Sequence, residues 1–249
     1  MKLFQTAALV TALAAPVSAG GLQDMTPDER GTFRAEVRAY LLENPEVLIE
    51  AMDILRIREA EAEVQADTRL LSQFGDAIYN DGVSWVGGNP DGDITIVEFL
   101  DYRCGYCRRA YGEIQAMLAE DGKIRRVVKE FPILGEDSDE SAKLALATLQ
   151  VLGDEAYGRM HDVLMTFEGP VTDQTLPLIA RRADIDIDQV LPAMESDAVA
   201  EHIASIRLLA QRLNVTGTPA FVVGATMVRG YVPKDAMSRI VAEERERAR

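Results

Sequence analysis

The stretch Ile94-Thr95-Ile96-Val97-Glu98-Phe99-Leu100-Asp101-Tyr102-Arg103-Cys104-Gly105-Tyr106-Cys107-Arg108-Arg109 decides the fold. Its first seven residues are a nearly unbroken β-branched and aromatic run of strand length, the pattern of a strand covered on both faces in an α/β sheet. The only two cysteines of the chain follow at once, and Arg108 to Ala119, with Ile114, Met117 and Leu118 on one face, then has helical spacing. The order is strand, cysteine pair, helix.

Working outward from there, Ile124 to Phe131 is expected as a second strand that stops at Pro132. Residues 137–212 hold no convincing strand and are expected as a helical insertion, broken by Gly153, by Gly169-Pro170 and around Asp184 to Asp188. Pro219 to Val223 and Met227 to Arg229 are expected as two strands about Gly224-Ala225, with a charged helix from Lys234 to the last residue. On the N-terminal side, Gly82, Gly87, Gly88, Pro90 and Gly92 mark residues 81–93 as a turn-rich linker and domain boundary. Residues 26–80 are helical in pattern: Thr26-Pro27-Asp28-Glu29 is a helix start, and Asn44-Pro45 interrupts the run. Ile57, Val64, Leu71 and Ile78 then recur every seven residues, a stripe that suits pairing with another chain or packing within the domain.

With 249 residues the chain is long enough to bury a core without disulfides. Its 41 acidic residues outnumber the 26 basic ones, for a net charge of −15, so it would repel phosphate backbones, and nucleic-acid binding is excluded as a reading. Residues 1–19 carry Lys2, a short apolar run and the ending Pro16-Val17-Ser18-Ala19, the pattern of a secretory signal cleaved after Ala19. The run is too short to span a bilayer, so export rather than anchoring is expected. An oxidising compartment changes what a cysteine pair is for.

A disulfide across Cys104 and Cys107 closes so short a loop that it would be a poor staple. A structural zinc site needs four ligands, and the only histidines, His161 and His202, lie far off in helical segments. Copper(I) held by two thiolates remains open. Thiol–disulfide exchange needs one exposed thiolate to attack and a second thiol to release the mixed disulfide. At a helix N-terminus Cys104 would have its thiolate stabilised by unpaired N–H groups, with Arg103, Arg108 and Arg109 as nearby cations or plain surface. Cys107, one turn on, would resolve. Glu98, inside the strand, either points outward or is an unpaired buried acid able to relay a proton to Cys107. Thr218-Pro219 is either a cis bond that leaves the Thr218 backbone free for an extended peptide or a trans proline on an edge strand.

Val97-Glu98-Phe99-Leu100-Asp101-Tyr102-Arg103-Cys104-Gly105-Tyr106-Cys107, Phe131-Pro132-Ile133-Leu134-Gly135 and Gly217-Thr218-Pro219-Ala220-Phe221 together resemble the DsbA-like thioredoxin-fold oxidoreductases. The resemblance runs from about residue 81 to the end. It implies an α/β thioredoxin fold with a helical insertion, Cys104 as nucleophile, Cys107 as buried partner, Glu98 as buried acid, and cis-Pro219 with Thr218 before it facing the cysteines. It brings no cofactor and no metal. Residues 20–80, with Glu43-Asn44-Pro45-Glu46-Val47-Leu48, resemble the N-terminal helical extension of the ScsC and Com1 subgroup, which implies a homo-oligomer formed through them. The activity implied is oxidation or isomerisation of disulfides in secreted, cysteine-containing polypeptides in the periplasm, with a DsbB-like or DsbD-like membrane redox partner. The alternatives are a copper(I)-binding or copper-tolerance protein using the same thiolates, and a scaffold in which the cysteines are incidental. One departure stands out: the dipeptide between the cysteines is Gly105-Tyr106 rather than Pro-His, and Tyr106 cannot become a cation, so a less oxidising couple is expected.

Overall fold

The computed structural model describes residues 25–249, so the expected signal at residues 1–19 lies outside the described residues. Two helices open the described chain. α1 (Pro27–Glu43) starts on a capping box in which Thr26 and Glu29 satisfy each other's backbone N–H groups, with Pro27 in the first turn. Asn44 closes it, and α2 (Glu46–Gln73) follows Pro45. The chain divides into two compact units between Ala60 and Glu61. In the first, the large apolar side chains of α1 and α2 are exposed, Ile49 at 63% and Ile57 at 59% among them.

The second unit contains a five-stranded sheet in the order β1-β3-β2-β4-β5. β2 (Ile94–Leu100) and β3 (Ile124–Glu130) pair in parallel at its centre, joined by the crossover helix α4 (Gly105–Asp121). β1 (Trp85–Gly88) lies antiparallel to β3, β4 (Ala220–Val223) antiparallel to β2, and β5 (Thr226–Arg229) antiparallel to β4. β1 falls inside the stretch expected as linker. Its glycines serve packing rather than flexibility: a Cβ on Gly87 would sit 2.0 Å from the Trp85 ring, and Gly88 takes φ +67°.

The insertion is as expected in kind. α5 (Glu136–Thr166) is broken at Gly153, and α6 (Leu176–Arg182), α7 (Ile187–Met194) and α8 (Asp197–Arg212) follow. α9 (Lys234–Arg247) ends the fold. Because side chains alternate along a strand, the sheet sorts its core into two faces. Ile94, Ile96, Phe221 and Val223 pack with Ile114 and Met117 of α4 and Val241 of α9, while Leu100 and Val128 pack with the insertion. On the other face Val97, Phe99 and Val127 pack with Ile206 and Leu209 of α8, and with Leu71 and Ile78, the latter from the short helix α3 (Gly75–Tyr79). Each such side chain fully buried contributes about 1.5–3 kcal/mol. The seven-residue stripe therefore does not run along one helix surface: Ile57 and Val64 are exposed, whereas Leu71 and Ile78 belong to the core of the second unit. Among the described residues no helix is long and apolar enough to cross a membrane.

Candidate active site

β2 ends in a loop that delivers Cys104 to the N-cap of α4, in extended conformation, with the Cys104 N–H donating to the Asp101 carbonyl at 3.0 Å. Asp101 is buried and holds the loop from its other side. Its carboxylate accepts from the backbone N–H groups of Arg103 (2.7 Å), Ile133 (2.8 Å) and Leu134 (3.1 Å) and from the Ser138 hydroxyl (2.8 Å). The Phe131-Pro132-Ile133-Leu134 segment is thereby tied to the cysteine loop, and Leu134 and Tyr106 stand exposed beside it.

The two thiols are unbonded and both are buried, Cys104 at 8% and Cys107 at 0% exposed, which corrects the expectation of an exposed nucleophile, while their hydrogen-bonding surroundings differ. Cys104 Sγ lies 3.2 Å from the Thr218 carbonyl oxygen, to which the thiol form donates. A hydrogen bond from the Cys107 thiol, with further help from Thr218 and the N–H groups of Cys107 and Tyr106, pulls the Cys104 pKa down to about 5. Cys107 is fully buried, and its hydrogen bond to Cys104, its desolvation and the negative charge of Glu98 push its pKa far up. The Thr218–Pro219 peptide bond is cis, and the Pro219 carbonyl accepts from the Gly230 N–H at 3.0 Å. The structure thus brings together Cys104, Cys107 and Thr218-Pro219 from chain positions more than a hundred residues apart.

Glu98 points into the interior and is wholly buried, but it is not unpaired, which corrects the expectation of a free buried acid. Arg126 donates to Glu98 Oε2 from Nε at 3.0 Å and from Nη2 at 2.5 Å. The parallel register places Arg126 opposite Ile96 and Val128 opposite Glu98, so Arg126 comes up diagonally on the same face. A charge this deep persists because it is paired. Glu98 Oε1 keeps no hydrogen-bond partner. Arg126 was not singled out from the sequence. The available signal was the charged pair Arg126 and Glu130, on the same face as Val128 in a strand otherwise fit for a core.

The three arginines do not form a cationic rim on the thiolate. Arg108 donates to the carbonyls of Tyr102 (2.7 Å), Leu164 (3.3 Å) and Phe167 (2.7 Å), which pins the active-site loop to the insertion. Arg109 lies 4.7 Å from the ring centroid of Tyr231, which itself stacks on Tyr106. Arg103 faces Asp137 at 3.9 Å. Cys104 therefore owes its acidity to hydrogen bonds and the helix terminus rather than to ion pairs. Among the described residues no group of three or more His, Cys, Asp or Glu side chains is placed to hold a metal ion.

Residues 95–242 match the DSBA-like thioredoxin domain, and residues 29–62 match the copper resistance protein ScsC N-terminal domain. Among solved structures, a thioredoxin-like oxidoreductase from Silicibacter pomeroyi is 41% identical, over 69% of this chain and 97% of that one, with a TM-score of 0.65. The thiol-disulfide exchange protein alpha-DsbA2 from Wolbachia pipientis is 29% identical, over 73% of this chain and 97% of that one, with a TM-score of 0.68. Proteus mirabilis ScsC in a transitional conformation is 26% identical, over 90% of this chain and 99% of that one, with a TM-score of 0.66. Among curated relatives, the Na(+)/H(+) antiporter NhaA 1 of Salinispora arenicola is 29% identical over 157 residues, and the chain spans only 24% of that protein's length.

Proposed function

The chain belongs to the DSBA-like thioredoxin domain family, in its ScsC-like subgroup, and on that premise we propose that it is a periplasmic thiol:disulfide interchange protein that oxidises or isomerises disulfides in secreted polypeptides. The observation that carries the reading is the contrast between the thiols: Cys104 is acidic at a helix N-cap, and Cys107 is buried and held protonated. At neutral pH the Cys104 thiolate attacks a substrate disulfide, forms the mixed disulfide and expels the distal substrate sulfur as a thiolate. Cys107 then attacks Cys104 Sγ, and the substrate's remaining sulfur leaves with the electron pair, which reduces the substrate. Cys107 must lose its proton for that step, and the unpaired Oε1 of Glu98 is the acceptor within the same interior. Run in reverse, the same steps pass the Cys104–Cys107 disulfide to a substrate dithiol, the oxidase direction, and a freed substrate thiolate that attacks in place of Cys107 gives isomerisation. A substrate strand docks on the Thr218 backbone beside cis-Pro219.

The exposed apolar side chains of residues 27–60 support a homo-oligomer formed through the N-terminal helices, and paired or multiple active sites facing one client favour isomerisation. The partners are then cysteine-containing polypeptides and a DsbB-like or DsbD-like membrane protein that resets the dithiol or disulfide. Replacing Cys104 by Ser tests the reading: insulin reduction and refolding of a scrambled substrate are expected to stop while the assembly mass stays as it was. Exchange that survives Cys104→Ser removes the nucleophile assignment. Alkylation trapping in cells separates the directions, a resting disulfide marking the oxidase and a resting dithiol the isomerase. A copper(I) site on the same thiols is disfavoured by the environment of Cys107, which resists becoming the second thiolate.

A further inference from the structure

Beneath the cysteine loop a buried polar chain leads away from the Glu98–Arg126 pair through groups that the exchange steps above leave unused. Arg126 Nη2 donates to His161 Nε2 at 3.2 Å. A guanidinium can only donate, so Nε2 is the acceptor and the imidazole proton sits on Nδ1. Nδ1–H then donates to the Tyr102 hydroxyl at 3.0 Å, and Tyr102 donates to Glu130 Oε1 at 2.7 Å. Tyr157 donates to the same oxygen at 2.5 Å. Donation runs one way along the chain, from the Glu98–Arg126 pair to Glu130, across β2, β3, the cysteine loop and α5.

Every member is wholly or almost wholly buried. His161 is enclosed by the rings of Trp85, Tyr102, Tyr111 and Tyr157 at centroid distances of 5.5–6.0 Å, and burial with the Arg126 charge holds it neutral. Tyr102 stands two residues before Cys104, and its carbonyl is the acceptor for Arg108. Arg126 is the partner of Glu98, whose charge bears on Cys107. A displacement of His161 would therefore reach the dithiol twice, through the loop and through the buried pair. Glu130 ends the chain with Oε2 unpartnered, and burial first, then the charges of Asp101 and Glu98, raise it to about 8. The groups facing it are Glu98 from β2, Asp101 and Tyr102 from the loop, Arg126 from β3, and Tyr157 and His161 from α5. Lys129 lies on the opposite face of the sheet, bonded to Asp81.

We propose that His161 and Glu130 are positioning residues of the exchange reaction, through which the helical insertion sets the thiol–disulfide equilibrium of Cys104 and Cys107. The proposal rests on the interchange reading. Neither residue touches substrate. Both act through Tyr102 and Arg126, and a one-way hydrogen-bonded chain in a dry interior transmits a change at one end because no water replaces a lost partner.

The test is the equilibrium constant of the full-length protein with glutathione for wild type, His161→Leu, His161→Gln and Glu130→Gln, with circular dichroism as the folding control. His161→Leu is expected to shift the constant by about three- to tenfold, and His161→Gln, which keeps one acceptor and one donor, to restore most of it. For Glu130→Gln the readout is its ratio to wild type at pH 6.5 and at pH 9, in which glutathione's own titration cancels. Ionised Glu130 disfavours the Cys104 thiolate and with it the dithiol, so the wild type is expected to become the weaker oxidant at pH 9 by several-fold. Equal constants for wild type and His161→Leu, together with a flat Glu130→Gln ratio, overturn the proposal. Where His161→Leu does not fold, the Glu130→Gln ratio decides alone. A wild type that does not exchange with glutathione at all defeats the interchange reading instead.

Discussion

Replacing Arg126 by Met removes the cation from a pair whose two side chains are 1% and 0% exposed, while nearly keeping the volume of the stem. Three hydrogen bonds go with it: two to Glu98 Oε2, at 3.0 and 2.5 Å, and one to His161 Nε2 at 3.2 Å. Glu98 Oε1 already lacks a partner, so the carboxylate would be left with none. Breaking a buried pair from one side costs about 3–5 kcal/mol, and the geometry here gives no reason for less. Removing both charges is a different matter, because the desolvation of both ions disappears with their attraction. The double variant Glu98→Gln/Arg126→Met is therefore expected to recover at least about 2 kcal/mol of the loss. Urea unfolding of the reduced protein at pH 8, with m checked for constancy, measures both the loss and its recovery. A loss under about 1 kcal/mol at pH 8, or a double variant no better than the single, would refute the account of Glu98 and Arg126 as a mutually dependent buried pair.

Absorbance of the thiolate in the dithiol protein is expected to titrate with a midpoint of about 5, and Cys107→Ala to raise that midpoint because Cys107 supplies the largest share of the shift. The depressed pKa stabilises the dithiol form above the unfolded thiol value of about 8.5, and that stabilisation is lost as pH falls through 5. An unmoved midpoint in Cys107→Ala contradicts the geometry. The couple is expected to be less oxidising than about −120 mV, since Tyr106 offers the thiolate no cation, and a glutathione equilibrium giving a value near that figure would count against it. Gly92→Ala should lower the thermal midpoint, by at least about 1 kcal/mol of stability, because its Cβ would lie 2.5 Å from the Arg125 backbone nitrogen and 2.6 Å from the Lys123 carbonyl oxygen.

What was legible in the sequence was what local pattern encodes. β2 announced itself by seven residues without a break, the cysteine pair by its place between strand and helix, and α1 by Thr26-Pro27 and Glu29. β1 was missed because two of its four residues are glycines, and glycine carries the same signal whether it makes a turn or leaves room for Trp85. The partners of the site were missed for another reason. Arg126, Tyr102, Glu130, Tyr157 and His161 are brought together by parallel register and by a helix that returns from the insertion, and none of those pairings has a sequence spacing. Charged residues in a strand that must be buried are the one local trace of such a network. Arg126 and Glu130 were that trace.

The heptad shows the opposite case, a pattern more regular than its cause. Ile57 and Val64 stand exposed, whereas Leu71 and Ile78 fill the core under β2, so one spacing joins two unrelated packings. Asp67, a charged residue on the same helix between Val64 and Leu71, has a structural use of its own: both of its oxygens accept from Arg229 at 2.7 Å, on β5, which pairs with β4. From residue 61 onward the helix is thus a fixed part of the second unit, and an assembly role, if the exposed apolar side chains have one, belongs to residues before that point. A truncation meant to isolate that role should stop at residue 60. Cutting to 75 would also remove Asp67 and Leu71, and a monomer obtained that way would report damage to the core as readily as loss of an interface.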